Sequence, residues 1–215
     1  MKKIEYKENF ISRELVAEIK NFYDVIVNDD MSNSPRADAK LKNGLIGCWD
    51  RPLKLDLDGN PLTAVVARLR EEYGDFEIYE SSIRYLAAPF GPHTDIRNHD
   101  WLVEQRKTHT PGFTFLIPLW WEENYRAGTA WFDSPAKEDQ LLYGERLDLL
   151  PEHTESFKNL EKNFGVREIF EWQTPGDLIV WESFQWHCSL SPKGHVYNST
   201  KWCKEFVSIE TSFRK

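Results

Sequence analysis

Cysteine is scarce in this chain of 215 residues. The three present, Cys48, Cys188 and Cys203, are odd in number and show no Cys-x-x-Cys spacing. That excludes a disulfide framework and a thiolate zinc site. Long apolar runs are also missing: no stretch approaches the roughly 18 residues needed to span a bilayer. The opening MKKIEYKENF lacks the apolar core of a signal peptide. The expectation is a soluble, cytoplasmic protein with no membrane partner. Positive charge is in deficit, 27 Lys and Arg against 35 Asp and Glu, a net charge of −8. No Lys/Arg cluster is long enough to follow a phosphate backbone, so nucleic acid is not an expected partner. There is neither an internal repeat nor a low-complexity tract, and nothing in the sequence speaks to oligomeric state.

What the chain does have is an ordinary apolar fraction, 40%, and nine tryptophans. Big aromatics mostly fill cores, and the length suits one well-buried domain over residues 1–215. Ser12 is placed to cap a first helix whose apolar face is Leu15, Val16, Ile19, Phe22, Tyr23 and Ile26. Residues 28–44 are polar, rich in turn formers, and read as a loop. Asn60-Pro61 opens a second helix through Leu62, Val65, Val66, Leu69 and Tyr73, ended by Gly74.

After Gly74 the hydrophobic period changes from 3.6 to 2. Strands are predicted at 76–87, 113–121, 128–133, 166–173, 177–183 and 204–213. Pro118 marks a sheet edge or a bulge in the second of these. About 134–165 reads as an insertion, with a short helix around Phe157, Leu160 and Phe164. Helices at 1–75 followed by strands at 76–213, without alternation, exclude a parallel α/β sheet. They predict a mainly β domain, an antiparallel sandwich or barrel with N-terminal helices packed on one face.

The chemistry centres on PHTD, residues 92–95, where His93 and Asp95 follow a turn-like Pro-Phe-Gly-Pro. Two imidazoles and one carboxylate on one face of a metal leave three open positions, the arrangement of non-haem Fe(II) oxygenases. A second, inward-facing histidine is therefore required. His99 and His109 fall in a polar loop, and His195 follows a Lys-Gly turn. His153 and Glu155 form a rival pair, but on a helix residues two apart point in nearly opposite directions. His187 follows a Pro-Gly-Asp turn, an apolar strand and a short polar break, and opens the next strand.

RYLAAPFGPHTD, FTFLIPLWW…AGTAWFD and TPGDLIVWESFQWHCSL, in this order, resemble the successive signatures of Fe(II)/2-oxoglutarate-dependent oxygenases. The likeness is to prolyl-hydroxylase-like and phytanoyl-hydroxylase-like members and covers about 76–213. It implies a double-stranded β-helix, the jelly-roll, cupin-like fold, with the two N-terminal helices as support. It implies a dioxygenase that takes Fe(II), 2-oxoglutarate and O₂ and releases succinate and CO₂. His93, Asp95 and His187 become the metal ligands. A carboxylate at Asp95, where halogenating relatives carry a small residue, implies hydroxylation or a related oxidation.

The family also places a basic residue on the last strand for the distal carboxylate of 2-oxoglutarate, because a buried carboxylate needs a cation. The usual arginine is missing here. Lys204, which shares a strand face with Phe206 and Ser208, and Lys201, in a Lys-Trp pair, are the candidates. Tyr85 resembles the tyrosine many members direct at this cosubstrate. On a regular strand Arg84 faces away from it, so the two do not both reach the pocket. Arg97, Trp101, Arg106 and Lys107 in loop 95–112, with Trp120, Trp121, Tyr125 and Arg126 opposite, are placed to rim the mouth. A small molecule, a free amino acid or a protein side chain all remain open as substrate. The alternatives are a zinc-dependent hydrolase on the same His/Asp/His site and a non-catalytic jelly-roll binding module.

Overall fold

The computed structural model describes residues 4–31, 48–53, 55, 57–86, 95, 107–121, 127–132, 166–183, 185–189 and 204–215. In chain order these form β1 (Glu5–Lys7), α1 (Arg13–Met31), β2 (Cys48–Pro52), α2 (Leu62–Tyr73), β3 (Glu77–Leu86), β4 (His109–Trp121), β5 (Gly128–Phe132), β6 (Val166–Glu171), β7 (Leu178–Glu182), β8 (His187–Ser189) and β9 (Lys204–Arg214). Six strands pair in the order β1-β7-β4-β9-β3-β2, and three in the order β6-β5-β8. Every pairing is antiparallel. The molecule is mainly β, two antiparallel sheets with helices on one side, as the jelly-roll expectation requires.

Both helices start as their caps predict. Ser12 Oγ accepts the Leu15 N–H at 3.2 Å, and Asn60 Oδ1 accepts the Leu62 N–H at 3.0 Å. Gly74, at φ 90°, closes α2 with its N–H on the Arg70 carbonyl. Helix α1 runs to Met31, past the residue where turn-forming composition predicted a loop. The rest of that predicted loop, and the helix expected in the 134–165 insertion, lie outside the described residues.

Alternation along the strands divides the interior in two. On β4 and β9, Phe115, Ile117, Leu119, Val207 and Ile209 face the helices and meet Ile19, Tyr23, Leu62, Val65 and Leu69. Each such fully buried side chain contributes about 1.5–3 kcal/mol of transfer free energy. The neighbours Leu116, Ile179, Trp181 and Phe206 face the small sheet and pack with Ala127, Trp131 and Trp172. The large sheet is therefore buried on both faces, and its polar residues that point inward, Thr114, Ser208 and Glu210, are enclosed.

Three local readings change with the tertiary structure. His109 opens β4 rather than sitting in a loop, paired with Arg214 of β9 and bonded through Nε2 to Glu77 at 2.8 Å. Pro118 lies in a central strand, between β7 and β9, where a register shift between Pro118 and Trp120 absorbs its missing N–H. Of the two options for this proline, the bulge is the one realised. Strands β1 and β2 were not legible, because β1 has only three residues and β2, Cys-Trp-Asp-Arg-Pro, shows no apolar alternation. Strand β1 is held by Asp177: its carboxylate accepts the Tyr6 hydroxyl, the Asn9 N–H at 2.8 Å and the Thr174 N–H at 2.9 Å.

Candidate metal centre

His187 opens β8, and its ring is fixed from behind. Nδ1 lies 2.9 Å from the Gln185 carbonyl, which can only accept, so Nδ1 carries a proton and Nε2 is the nitrogen turned into the site. Nε2 stands 3.5 Å from Oδ1 of Asp95. Both side chains are buried, His187 at 6% and Asp95 at 8% exposure. The other carboxylate oxygen, Oδ2, accepts the Thr114 hydroxyl at 2.6 Å and the Trp181 indole N–H at 3.2 Å. The Trp181 ring also flanks the imidazole, centroids 4.8 Å apart.

An imidazole nitrogen and a carboxylate oxygen this close in a closed site share either a proton or a metal cation. A histidine whose far nitrogen donates to a carbonyl, opposite a carboxylate held by its own donors, is how proteins pre-orient metal ligands. The donor chemistry fits a divalent metal of the imidazole–carboxylate type. His93, the third expected ligand, lies outside the described residues, as do Lys201 and the side chain of Tyr85. Among the described residues no group of three or more His, Cys, Asp or Glu converges.

The cavity in front of this pair is lined on its β9 wall by Lys204, Phe206 and Ser208. This is the face that alternation assigned to them, with Val207 and Ile209 turned to the helices. Lys204 is 1% exposed, its ammonium 4.8 Å from the Trp172 ring centroid and 5.8 Å from that of Phe206. Cys188, beside His187, also lines the cavity, and burial pushes its thiol up to about 12. A larger groove of about 700 Å³ lies between residues 9–15 and Ala64, Val65 and Arg68, but it holds no converging metal donors.

Several residues of the site were not picked out from sequence. Arg84 on β3, weighed from sequence only as facing away from Tyr85, lines the cavity and donates from Nη2 to Glu210 Oε1 at 2.9 Å and from Nε to Ser82 at 3.1 Å. Glu210 also accepts the Tyr79 hydroxyl at 2.8 Å. Burial, reinforced by the charge of Asp95 and opposed by Arg84, lifts the Glu210 carboxyl to about 8. Thr114, Trp181 and Trp172 complete the surround. The available signal was a polar residue on the inner face of an apolar strand, as with Thr114 beside Phe115 and Leu116. That pattern does not say which polar group the residue will meet.

No family model matches this sequence, and no curated protein matches it. Solved structures do. The non-heme alpha ketoglutarate dependent epimerase SnoN from nogalamycin biosynthesis superposes with a TM-score of 0.50 at 12% identity, covering 97% of this chain and 76% of that one. The likeness is one of fold. Looser likenesses are a Pseudomonas putida prolyl-4-hydroxylase, TM-score 0.48, 10% identity, covering 99% and 93% of the two chains, and the alpha ketoglutarate dependent carbocyclase SnoK, TM-score 0.49, 8% identity, covering 99% and 81%. Fold alone does not carry activity, so the chemistry has to be argued from the site.

Proposed function

We propose that this protein is an Fe(II)- and 2-oxoglutarate-dependent dioxygenase that oxidises a small or amino-acid-like molecule, with release of succinate and CO₂. The observation that carries this reading is the Asp95–His187 pair, Nε2 and Oδ1 3.5 Å apart, with a buried lysine in the same cavity. The order of motifs in the sequence and the fold shared with an alpha ketoglutarate dependent enzyme support it.

In this reading His93, Asp95 and His187 would hold the iron. When bound, the iron with its cosubstrate supplies the oxidising chemistry. The chain's own residues prepare the place for it. Gln185 orients the His187 ring, and Thr114 and Trp181 hold one carboxylate oxygen of Asp95, so that the other would be the one turned to the metal. Lys204, on the wall of the same cavity, would neutralise the distal carboxylate of 2-oxoglutarate. Trp172, Trp181 and Phe206 line the same cavity and would help to keep water from the reacting centre.

The test is anaerobic. Fe(II) and 2-oxoglutarate added to metal-free protein are expected to give the weak visible charge-transfer band of their chelate, and the His187→Ala and His93→Ala variants to lack it. Tight zinc binding with no such band would sink the oxygenase reading in favour of a metal-dependent hydrolase.

A further inference from the structure

Trp172 follows β6, its backbone N–H held by the Ala127 carbonyl at 2.9 Å. The side chain is 6% exposed and lines the cavity with Asp95, His187 and Lys204. Its ring is wedged edge-to-face against Trp121 and Phe206, with centroids 6.1 and 5.5 Å away. Yet its indole Nε1 is buried and meets no hydrogen-bond acceptor among the described residues. Native structures rarely leave such a donor unpaired, and an indole can only donate. The missing partner is therefore an acceptor, and the cavity that Trp172 lines is where a ligand can bring one. The Lys204 ammonium lies 4.8 Å from the same ring, so an acceptor that bears negative charge suits this wall best.

We propose that Trp172 is a ligand-binding residue, donating its indole N–H to one oxygen of the carboxylate whose charge Lys204 neutralises. This rests on reading Lys204 as the partner of the distal carboxylate of 2-oxoglutarate. Trp172 then has two roles: its π face seats the ammonium, and its N–H selects a dicarboxylic keto acid over a monocarboxylic one. Trp131 is the internal contrast. Its Nε1 is also buried without a partner, but its ring packs against Trp181 at 5.7 Å and does not line the cavity.

The experiment is a proton–nitrogen spectrum of the full chain labelled at its indole nitrogens, with Zn(II) as a diamagnetic metal. The Trp172 signal is identified by its loss in Trp172→Phe, or by sequential assignment of the wild type should that variant not fold. On adding 2-oxoglutarate the Trp172 N–H is expected to move downfield. On adding 2-oxobutyrate, which lacks the distal carboxylate, it is expected to stay, and the Trp131 signal is expected to stay in both. Trp172→Phe is expected to weaken 2-oxoglutarate binding about tenfold and leave 2-oxobutyrate unchanged. An unmoved Trp172 signal in protein that forms the Fe(II) chelate band would overturn this inference alone. Equal weakening toward both keto acids would overturn it too, because Trp172 would then be only structural. No band and no shifted signal would overturn it together with the oxygenase reading.

Discussion

Nε2 of His187 stands 3.5 Å from Oδ1 of Asp95, with the second oxygen of that carboxylate already claimed by Thr114 and Trp181. The carboxylate is thus asymmetric: one oxygen belongs to the protein scaffold and the other faces the imidazole. Each neighbour of this pair has a consequence that can be measured.

Thr114→Val keeps the shape of a fully buried side chain but removes the hydroxyl 2.6 Å from Asp95. Trp181 still holds the same oxygen, so the carboxylate loosens rather than swings away. Metal affinity is expected to fall about 10–100-fold, measured by competition with a chromophoric chelator. The unfolding free energy is expected to fall by about 1–3 kcal/mol. Unchanged metal affinity in a folded variant would show that Asp95 is positioned by something else.

Lys204→Met removes a buried ammonium from the cavity wall. On the proposed reading it costs a charge-assisted hydrogen bond to 2-oxoglutarate, about 1.5–3 kcal/mol, or about 10–100-fold in apparent affinity. Lys204→Arg is expected to recover part of that loss. The check is titration of the Fe(II) chelate band with 2-oxoglutarate. If Lys204→Met titrates like the wild type, the carboxylate is held elsewhere, with Lys201 next to be tested.

Glu210 sets a pH dependence of stability. Burial lifts its folded-state pKa to about 8, above the unfolded value of about 4.3. Between these values the folded state binds more protons than the unfolded state, so stability falls as pH rises through this window. The contribution is fully present below about pH 4.3 and lost above about pH 8. Glu210→Gln keeps an acceptor for Arg84 and presents a donor to the Tyr79 oxygen, as the protonated acid does, and is expected to flatten that slope in urea titrations run from pH 5 to 9. An unchanged slope would mean that Arg84, 2.9 Å away, keeps Glu210 ionised throughout.

Gly176 is the turn residue before β7, at φ +93°, and a Cβ there would stand 2.6 Å from the Ile11 carbonyl oxygen. The same carbonyl-to-amide seam joins Ile11 N–H to the Gly176 carbonyl at 2.9 Å. Gly176→Ala is expected to cost about 1–3 kcal/mol from the backbone conformation alone, and more if residues 9–11 have to move. Chemical denaturation gives the value directly. A loss below 0.5 kcal/mol, about the scatter of ordinary surface substitutions, would show that the segment shifts freely.

Much of this fold is written in local pattern. The period-3.6 faces of α1 and α2, their caps at Ser12 and Asn60, and the period-2 runs of β3, β4, β5, β6, β7 and β9 were legible because each element buries one face and its side-chain period is fixed by backbone geometry. The same alternation put Lys204, Phe206 and Ser208 on one wall and Val207 and Ile209 on the other. Residue chemistry put Asp95 and His187 forward as metal donors, and the structure brings their side chains within 3.5 Å; their role as ligands is the proposal.

Other features were decided only by tertiary structure. That Asp95 and His187 lie side by side depends on β5 pairing with β8 and on β4 pairing with β7 and β9, contacts between residues distant in the chain. No local period encodes which strands become neighbours. The partners of Asp95, the Arg84–Glu210 contact and the unmet Trp172 N–H arise from how two sheets close on one another. A sequence names the donors and acceptors on each strand. Which donor meets which acceptor, and which is left for a ligand, is fixed only when the strands are packed, because hydrogen bonds act over about 3 Å and in specific directions.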